Sequence, residues 1–121
     1  MPVAVSDKKP YYKLRFPSTE TEKSQYLLFT EAGSLMIEIE DYARPYDERY
    51  TWLEPEDTIK FLDSVGEAGR QPEFVDGEPT PETKVMLRRL MKQFGSIADL
   101  SRCWKIIGIQ GLSFSGSESS E

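Results

Sequence analysis

The sequence predicts an α+β fold, in which a small antiparallel sheet packs against two to three helices. Alternating segments fill the first half of the chain, segments with helix caps follow, and a β-prone segment near the C-terminus would return to the sheet. Strands grouped before helices disfavour a doubly wound parallel sheet. We expect residues 1–114 to form one domain, and residues 115–121, which are only Ser, Gly and Glu, to form a disordered tail.

Four strands are predicted in the first half of the chain. Residues 11–16 alternate, and residues 25–30 are apolar on both faces, which is typical of a strand with neighbours on both sides. Residues 35–40 alternate again, and a short loop with Gly33 precedes them, which predicts a hairpin. Residues 49–53 provide the fourth strand of this meander.

Three helices are predicted from capping residues and apolar spacing. Those over 55–65 and 81–94 each begin with proline and carry acidic residues in the first turn, which suits the helix dipole. Ser96 is expected to cap a short third helix. Residues 66–81 hold three glycines and three prolines and are interpreted as a loop or linker. Residues 105–114, with three isoleucines, are better explained as a strand that returns to the sheet than as a helix, and the sequence leaves both interpretations open.

The chain contains no histidine and a single cysteine, Cys103. Histidine is the commonest general base and metal ligand, so its absence excludes His-based triads and zinc sites that use His. Cys103 lies among apolar residues without an activating base, and we interpret it as a buried, unreactive thiol. We therefore expect no catalytic residues, no metal, no cofactor and no enzymatic activity.

The cellular location is predicted from the absence of an apolar segment long enough to span a membrane, of a signal peptide and of a cysteine pair. No apolar run reaches the roughly 20 residues that cross a bilayer, and residues 1–9 lack the apolar segment of a signal peptide. A lone cysteine forms no internal disulfide, which suits a reducing compartment. We expect a cytoplasmic protein that does not associate with membranes.

The net charge of −6 is distributed unevenly along the chain. Residues 18–63 carry twelve acids and four bases, a net charge of −8, whereas residues 83–105 carry six bases and one acid, a net charge of +5. Such asymmetry affects the steering of partners and not the fold. A general nucleic-acid binder would be basic overall, and this chain is acidic.

Two groups of carboxylates offer the oxygen ligands that Mg²⁺ and Ca²⁺ prefer. They are Glu38, Glu40 and Asp41, and Glu54, Glu56 and Asp57. Their spacing matches no metal-binding loop, so we interpret the first group as the outward face of a strand and the second as a helix cap. An enzyme with a carboxylate-held metal is the third hypothesis for this chain.

Residues 42–52 combine four large aromatic side chains with two arginines. Tyr, Trp and Arg dominate binding hot spots because they offer large contact areas with polar tips. An equally supported interpretation places Tyr50 and Trp52 in the core and leaves the other two tyrosines flat on the surface. The partner-binding residues that we predict are the anchors Tyr42, Arg44, Tyr46, Arg49 and Tyr50 and the acidic residues Glu38, Glu40, Asp41, Asp47 and Glu48.

The leading hypothesis is a small, acidic, non-enzymatic binding protein that docks on a macromolecular partner and inhibits or modulates it. The expected partner is a protein with a basic surface, since carboxylates can occupy a basic active site or nucleic-acid groove and speed association. Inhibitors of the antitoxin, immunity or phage-encoded type share this profile, which is an analogy and not a motif match. The oligomeric state stays open.

The alternative is a nucleic-acid-associated regulator. Helix 81–94 and segment 96–105 have a pattern loosely similar to a helix-turn-helix, with locally positive charge. The residues that would contact phosphates are Lys84, Arg88, Arg89, Lys92, Arg102 and Lys105. A recognition helix over 106–114 would have almost no base-reading side chains, which favours the leading hypothesis.

Overall fold

A computed structural model describes residues 12–17, 21–43 and 47–115 of the chain. Within them, five strands form one antiparallel sheet, and two more form a small separate hairpin. The sheet strands are β1 (Leu14–Arg15), β2 (Lys23–Phe29), β3 (Leu35–Asp41), β4 (Asp47–Trp52) and β7 (Leu112–Ser115), and the hairpin strands are β5 (Phe74–Val75) and β6 (Glu78–Pro79). The order of the strands across the sheet is β1-β2-β3-β4-β7.

Three helices follow β4 in the described part of the chain: α1 (Pro55–Ser64), α2 (Pro81–Gln93) and α3 (Ile97–Ile107). The antiparallel sheet with its helices confirms the predicted α+β fold, and β7 provides the predicted C-terminal strand. No helix among the described residues is long and apolar enough to span a bilayer. Residues 116–121 of the predicted disordered tail lie outside the described residues, and Ser115 is the last residue of β7.

The residues of β3 divide the sheet into two faces. Leu35 and Ile37 belong to the buried core beneath the helices, and because successive side chains alternate, Met36 and Glu38 point the other way. The register extends this division across the sheet, since Ile37 lies opposite Leu27 of β2 and Glu38 lies between a residue of β2 and one of β4. We call the helix-covered side the inner face and the opposite side the outer face.

A single core fills the space between the inner face and the helices. Phe61 of α1 is fully buried, and its ring centroid lies 5.6 Å from that of Phe94 and 6.2 Å from that of Trp104. The contact with Trp104 is edge-to-face, a favoured arrangement of aromatic rings. The core comprises Phe16, Leu27, Phe29, Leu35, Ile37, Leu53, Phe61, Leu62, Met86, Leu87, Leu90, Phe94, Leu100, Trp104 and Ile109.

A buried threonine fastens α1 to the sheet. The Thr58 hydroxyl accepts a hydrogen bond from the Leu35 amide at 3.0 Å and donates one to the Leu53 carbonyl at 3.4 Å. Leu35 begins β3 and Leu53 follows β4, so one side chain fixes both strands against the helix. Buried backbone groups need partners of this kind, because an unpaired one is costly.

The helices begin where the capping signals predict. Thr80 Oγ1 accepts a hydrogen bond from the Thr83 amide, and Ser96 Oγ accepts one from the Asp99 amide. Pro55 is the first residue of α1 and follows a residue in extended conformation. The predicted helices 55–65 and 81–94 each extend one residue beyond the observed ones.

The prediction of a strand over residues 105–114 is wrong for its first part. α3 continues through Ile107, and Gly108 ends it in the left-handed conformation, with a φ of +81°. Leu100 and Trp104 are the buried residues of this helix, whereas Ile106 is 76% exposed. Leu100 and Trp104 are four residues apart, so a helix buries both of them on the core. The free energy of this burial outweighs the β propensity of the isoleucines.

The interpretation of residues 66–81 as a loop or linker is wrong in part. β5 and β6 pair around Asp76 and Gly77, whose positive φ angles are typical of a type I′ hairpin turn. Glu67 is buried and accepts two hydrogen bonds from the Arg89 guanidinium, at 2.7 and 2.8 Å. These bonds lower the pKa of the Glu67 carboxyl and fasten the segment to α2.

Replacement of Thr58 by valine tests how α1 is held to the sheet. The variant keeps the shape of the side chain but leaves the Leu35 amide buried without an acceptor, which costs about 1–3 kcal/mol. We expect urea unfolding of Thr58→Val to show this loss in the free energy of unfolding. Thr58→Ser keeps the hydroxyl and is the matched control, with a smaller loss. Equal stability of Thr58→Val and the wild type would contradict the role assigned to this hydroxyl.

Candidate functional site on the outer face of the sheet

Side chains from all five strands of the large sheet meet on its outer face. The register aligns one row across the sheet, which consists of Arg15, Tyr26, Glu38, Tyr50 and Phe114. The neighbouring row consists of Leu28, Met36, Trp52 and Leu112. The buried residues of the helices cluster with the inner-face residues, so no helix of the described chain covers this face.

An apolar groove of about 390 Å³ lies on the outer face, beside the loop that joins β2 and β3. Phe114 is 59% exposed there, and the other large side chains of the groove are half-buried. Aromatic rings and a thioether offer surface that packs well against apolar groups of a partner. The groove is lined by Thr30, Ala32, Ser34, Met36, Tyr50, Trp52 and Phe114.

Three carboxylates lie on the same face as the groove, those of Glu38, Glu40 and Glu48. Glu40 lies directly opposite Glu48 in the register of β3 and β4. The Lys13 ammonium lies 3.1 Å from Glu38 Oε1 and 3.8 Å from Glu40 Oε2. The same ammonium lies 4.2 Å from the centroid of the Tyr26 ring, a cation–π contact. Two carboxylates and a ring therefore share one cation.

Two tyrosine hydroxyls orient the carboxylates. Tyr50 donates a hydrogen bond to Glu48 Oε1 at 2.7 Å, and Tyr42 donates one to Glu40 Oε1. The bond to Glu40 raises the pKa of Tyr42 to about 12, and burial together with Glu48 raises the pKa of Tyr50. Both hydroxyls are therefore protonated donors at neutral pH.

Glu38 is a buried carboxyl in the middle of this face, with an exposed fraction of 8%. Burial raises its pKa above the ordinary value of 4.5, although Lys13 acts in the opposite direction. A raised pKa means that the fold favours the protonated carboxyl, so the charge on Glu38 at neutral pH costs stability.

The structure brings together five of the ten predicted partner-binding residues: Glu38, Glu40, Tyr42, Glu48 and Tyr50. Strand alternation puts three others, Asp41, Asp47 and Arg49, on the opposite side of β3 and β4, where Arg49 binds Asp47 at 3.2 Å. Arg44 and Tyr46 lie outside the described residues. Tyr50 and Trp52 do not belong to the core, contrary to the other interpretation of this segment.

Sequence reasoning missed five members of the site. Three of them come from other parts of the sheet, and the register between distant segments, which no local pattern encodes, brings them beside the predicted residues. The other two, Met36 and Trp52, lie on the same strands as Glu38 and Tyr50, where period-two alternation was the available signal. Alternation was also a local signal for Lys13, since the pattern of residues 11–16 places it on the side opposite Tyr12 and Leu14. The missed residues are Lys13, Tyr26, Met36, Trp52 and Phe114.

Four of the six basic residues of the nucleic-acid hypothesis are engaged within the protein. Arg89 binds Glu67, and Arg102 binds Asp99 at 3.0 Å. Arg88 donates a hydrogen bond to the Tyr12 hydroxyl at 3.0 Å, and Lys84 lies 5.0 Å from the centroid of the same ring. The remaining two, on α2 and α3, are Lys92 and Lys105.

Candidates for a metal-binding or reactive site include the carboxylates of the described residues and the single cysteine. Among residues 12–17, 21–43 and 47–115, no three His, Cys, Asp or Glu side chains lie close enough together to hold a metal ion. Cys103 is half-buried against the core, and burial raises the pKa of its thiol. The protonated thiol is the unreactive form.

Comparisons of the chain with protein-family models, with curated proteins and with solved structures found no match. Function must therefore be inferred from the chemistry of the surfaces described above. Among these, the outer face combines an apolar groove with an acidic border, which is the combination expected of a contact surface.

Replacement of Glu38 by glutamine tests whether the buried charge costs stability. In the wild type this cost appears as the pH rises from below 4.5 through the raised pKa, whereas glutamine does not titrate. We therefore expect the free energy of unfolding of Glu38→Gln, relative to the wild type, to increase between about pH 3.5 and about pH 7.

Urea unfolding at both pH values measures this difference. Glu31→Gln, at an exposed position in the loop between β2 and β3, is the control for removal of a carboxylate. A difference for Glu38→Gln that stays constant or falls with rising pH would show that the charge is not unfavourable.

Proposed function

We propose that this protein is a small, acidic, non-enzymatic binding protein that docks the outer face of its sheet on a macromolecular partner and inhibits or modulates it. The partner is a protein with a basic surface. The observation that supports the proposal is an apolar groove bordered by three carboxylates on a face that no helix of the described chain covers. We also propose a cytoplasmic location, in keeping with the single half-buried cysteine.

The groove supplies the contact area that such an interface needs. Tyr50, Trp52 and Phe114 are aromatic residues, the class that contributes most to binding hot spots. They project from β4 and β7, which are paired strands of one sheet. Side chains on such a rigid support lose little conformational entropy when a partner binds, so more of the contact energy appears as affinity.

In this proposal the carboxylates orient the partner and raise its association rate. Glu38, Glu40 and Glu48 point in the same direction as the groove, and the two described basic residues of this face, Lys13 and Arg15, offset only part of their charge. A negative field beside an apolar anchor attracts a basic partner and aligns it before contact, which raises the association rate. The groove then slows dissociation.

The environment of Glu38 favours a role in binding over a role in stability. Its pKa is raised because the carboxyl is buried, so at neutral pH the charged form is held at a cost to the fold. Residues that reduce stability are expected at functional sites, where natural sequences depart from the most stable choice. A cationic side chain of the partner beside Glu38 would compensate the charge.

A nucleic-acid partner is less well supported. The carboxylates of the outer face would repel phosphates. On the helices, Arg89 already binds Glu67 and Arg88 already binds Tyr12, so a phosphate backbone would have to compete with contacts inside the protein. The overall charge of −6 also opposes binding to a polyanion.

Affinity capture from native lysate with three matched baits tests the proposal. The first bait is the wild type, and the second carries Glu40→Lys and Tyr42→Ala on the outer face. The third carries the equivalent changes Glu56→Lys and Ile59→Ala at exposed positions of α1. We expect a protein retained by the first and third baits to bind the second at least about tenfold more weakly, and added salt to slow its association.

Two outcomes would contradict the proposal. One is that the wild type retains no specific protein, or one that all three baits bind equally. The other is that the wild type binds duplex or single-stranded nucleic acid at low salt and loses this binding with Arg88→Ala and Lys92→Ala, which would favour the regulator instead.

A further inference from the structure

β7 lies at one edge of the five-stranded sheet and has a neighbour, β4, on one side only within the described residues. The direction of its backbone groups can be deduced from the hydrogen bond that joins β3 to the residue after β4. The Leu53 amide donates to the Leu35 carbonyl, so the backbone groups of Leu53 point towards β3. Because these groups alternate along a strand, those of Tyr50 and Trp52 point towards β7.

The same alternation identifies the backbone groups of β7 that point away from β4. Tyr50 lies opposite Phe114 and Trp52 lies opposite Leu112, so Phe114 and Leu112 exchange hydrogen bonds with β4. The N–H and C=O groups of Ser113, between them, therefore point away from the sheet. Outward backbone groups on an edge strand are a template for another strand.

The side chains of β7 include none of the types that commonly protect a sheet edge from pairing. The strand consists of Leu, Ser, Phe and Ser, without a charge or a proline, which are the residues that commonly protect sheet edges. Leu112 is 43% exposed and Phe114 is 59% exposed, both on the outer face. The negative charge of the molecule is concentrated in residues 18–63, so a second copy meets no like charge within this strand.

We propose that β7 pairs antiparallel with β7 of a second copy of this chain, around a two-fold axis at Ser113. In this register the outward groups of Ser113 and its symmetry mate exchange two hydrogen bonds. Leu112 of each copy lies opposite Phe114 of the other, on the same face and at the closer spacing of a non-hydrogen-bonded pair. The strand is therefore complementary to itself, as an isologous two-fold interface requires.

The dimer would join two sheets into one sheet of ten strands, counted over the described residues. The axis is perpendicular to the sheet, so the two outer faces point the same way and their grooves lie side by side across β7. The inference depends on the edge of β7 and not on the proposed function, because it concerns purified protein without any other partner. A paired surface of this kind would strengthen binding to a partner with two sites.

Replacement of Ser113 by proline is the most direct test of this pairing. Ser113→Pro removes the outward N–H but leaves the pairing of Leu112 and Phe114 with β4, since proline is tolerated at edge positions whose N–H faces away from the sheet. The matched control is Ser113→Ala, which keeps the N–H and, like the proline variant, loses the 3.1 Å contact with Thr51 Oγ1.

Sedimentation equilibrium measures the result. We expect the apparent mass of the wild type and of Ser113→Ala to rise from 13.9 kDa towards twice that value between about 5 and about 300 µM, a range typical of small interfaces. Ser113→Pro should stay monomeric with an unchanged circular dichroism spectrum.

A second pair of variants keeps the test decisive if proline disturbs the fold. Phe114→Ser removes an exposed apolar side chain from the proposed interface, and Val75→Ser removes one of similar exposure, 62%, from β5. We expect Phe114→Ser to weaken the dimer at least about tenfold and Val75→Ser to leave it unchanged. A wild type that is monomeric throughout, or a dimer that Phe114→Ser leaves intact, would overturn the proposal.

Discussion

The alternation of β3 is the constraint on which the rest of the structure depends. Leu35 and Ile37 point into the core, so Met36 and Glu38 must point to the outer face. A shift of one residue would exchange the two sets, and the burial of the first set forbids it. The bond from the Leu35 amide to Thr58 fixes the start of this strand against α1. The positions of the outer-face side chains therefore follow from packing on the inner face, whereas packing on the inner face does not determine their chemistry.

Elements with local signals could be predicted from the sequence. Gly33, between two alternating segments, indicated the β2–β3 hairpin, and the threonine cap before Pro81 indicated α2. Where two local signals competed, the prediction was wrong. Asp76 and Gly77, which form the hairpin turn, lie among prolines and acids that are typical of a loop, and the three isoleucines after Trp104 suggested a strand although burial on the core continues the helix.

The outer face could be predicted only in part, because rows across a sheet join residues far apart in the chain. The aromatic segment 42–52 includes Tyr50, which lies on the outer face, but period-two alternation separates it from Arg49, which lies on the other side of β4. Lys13 and Phe114 reach the site through the pairing of β1 with β2 and of β4 with β7. Such long-range pairing has no local signal, and neither do the contacts by which the basic residues of α2 become engaged.

Hydroxyl-radical footprinting of the chain in complex with its captured partner tests the central claim most directly. Met36, Tyr42 and Trp52 report on the outer face, and the exposed Ile59 and Ile106 report on α1 and α3. The reference is the purified protein at the same concentration, so that self-association contributes equally to both samples. If the outer face is the contact surface, the partner slows oxidation of the first three side chains and leaves the two isoleucines unchanged. Protection of the isoleucines alone, with unchanged oxidation of the outer face, would contradict this account.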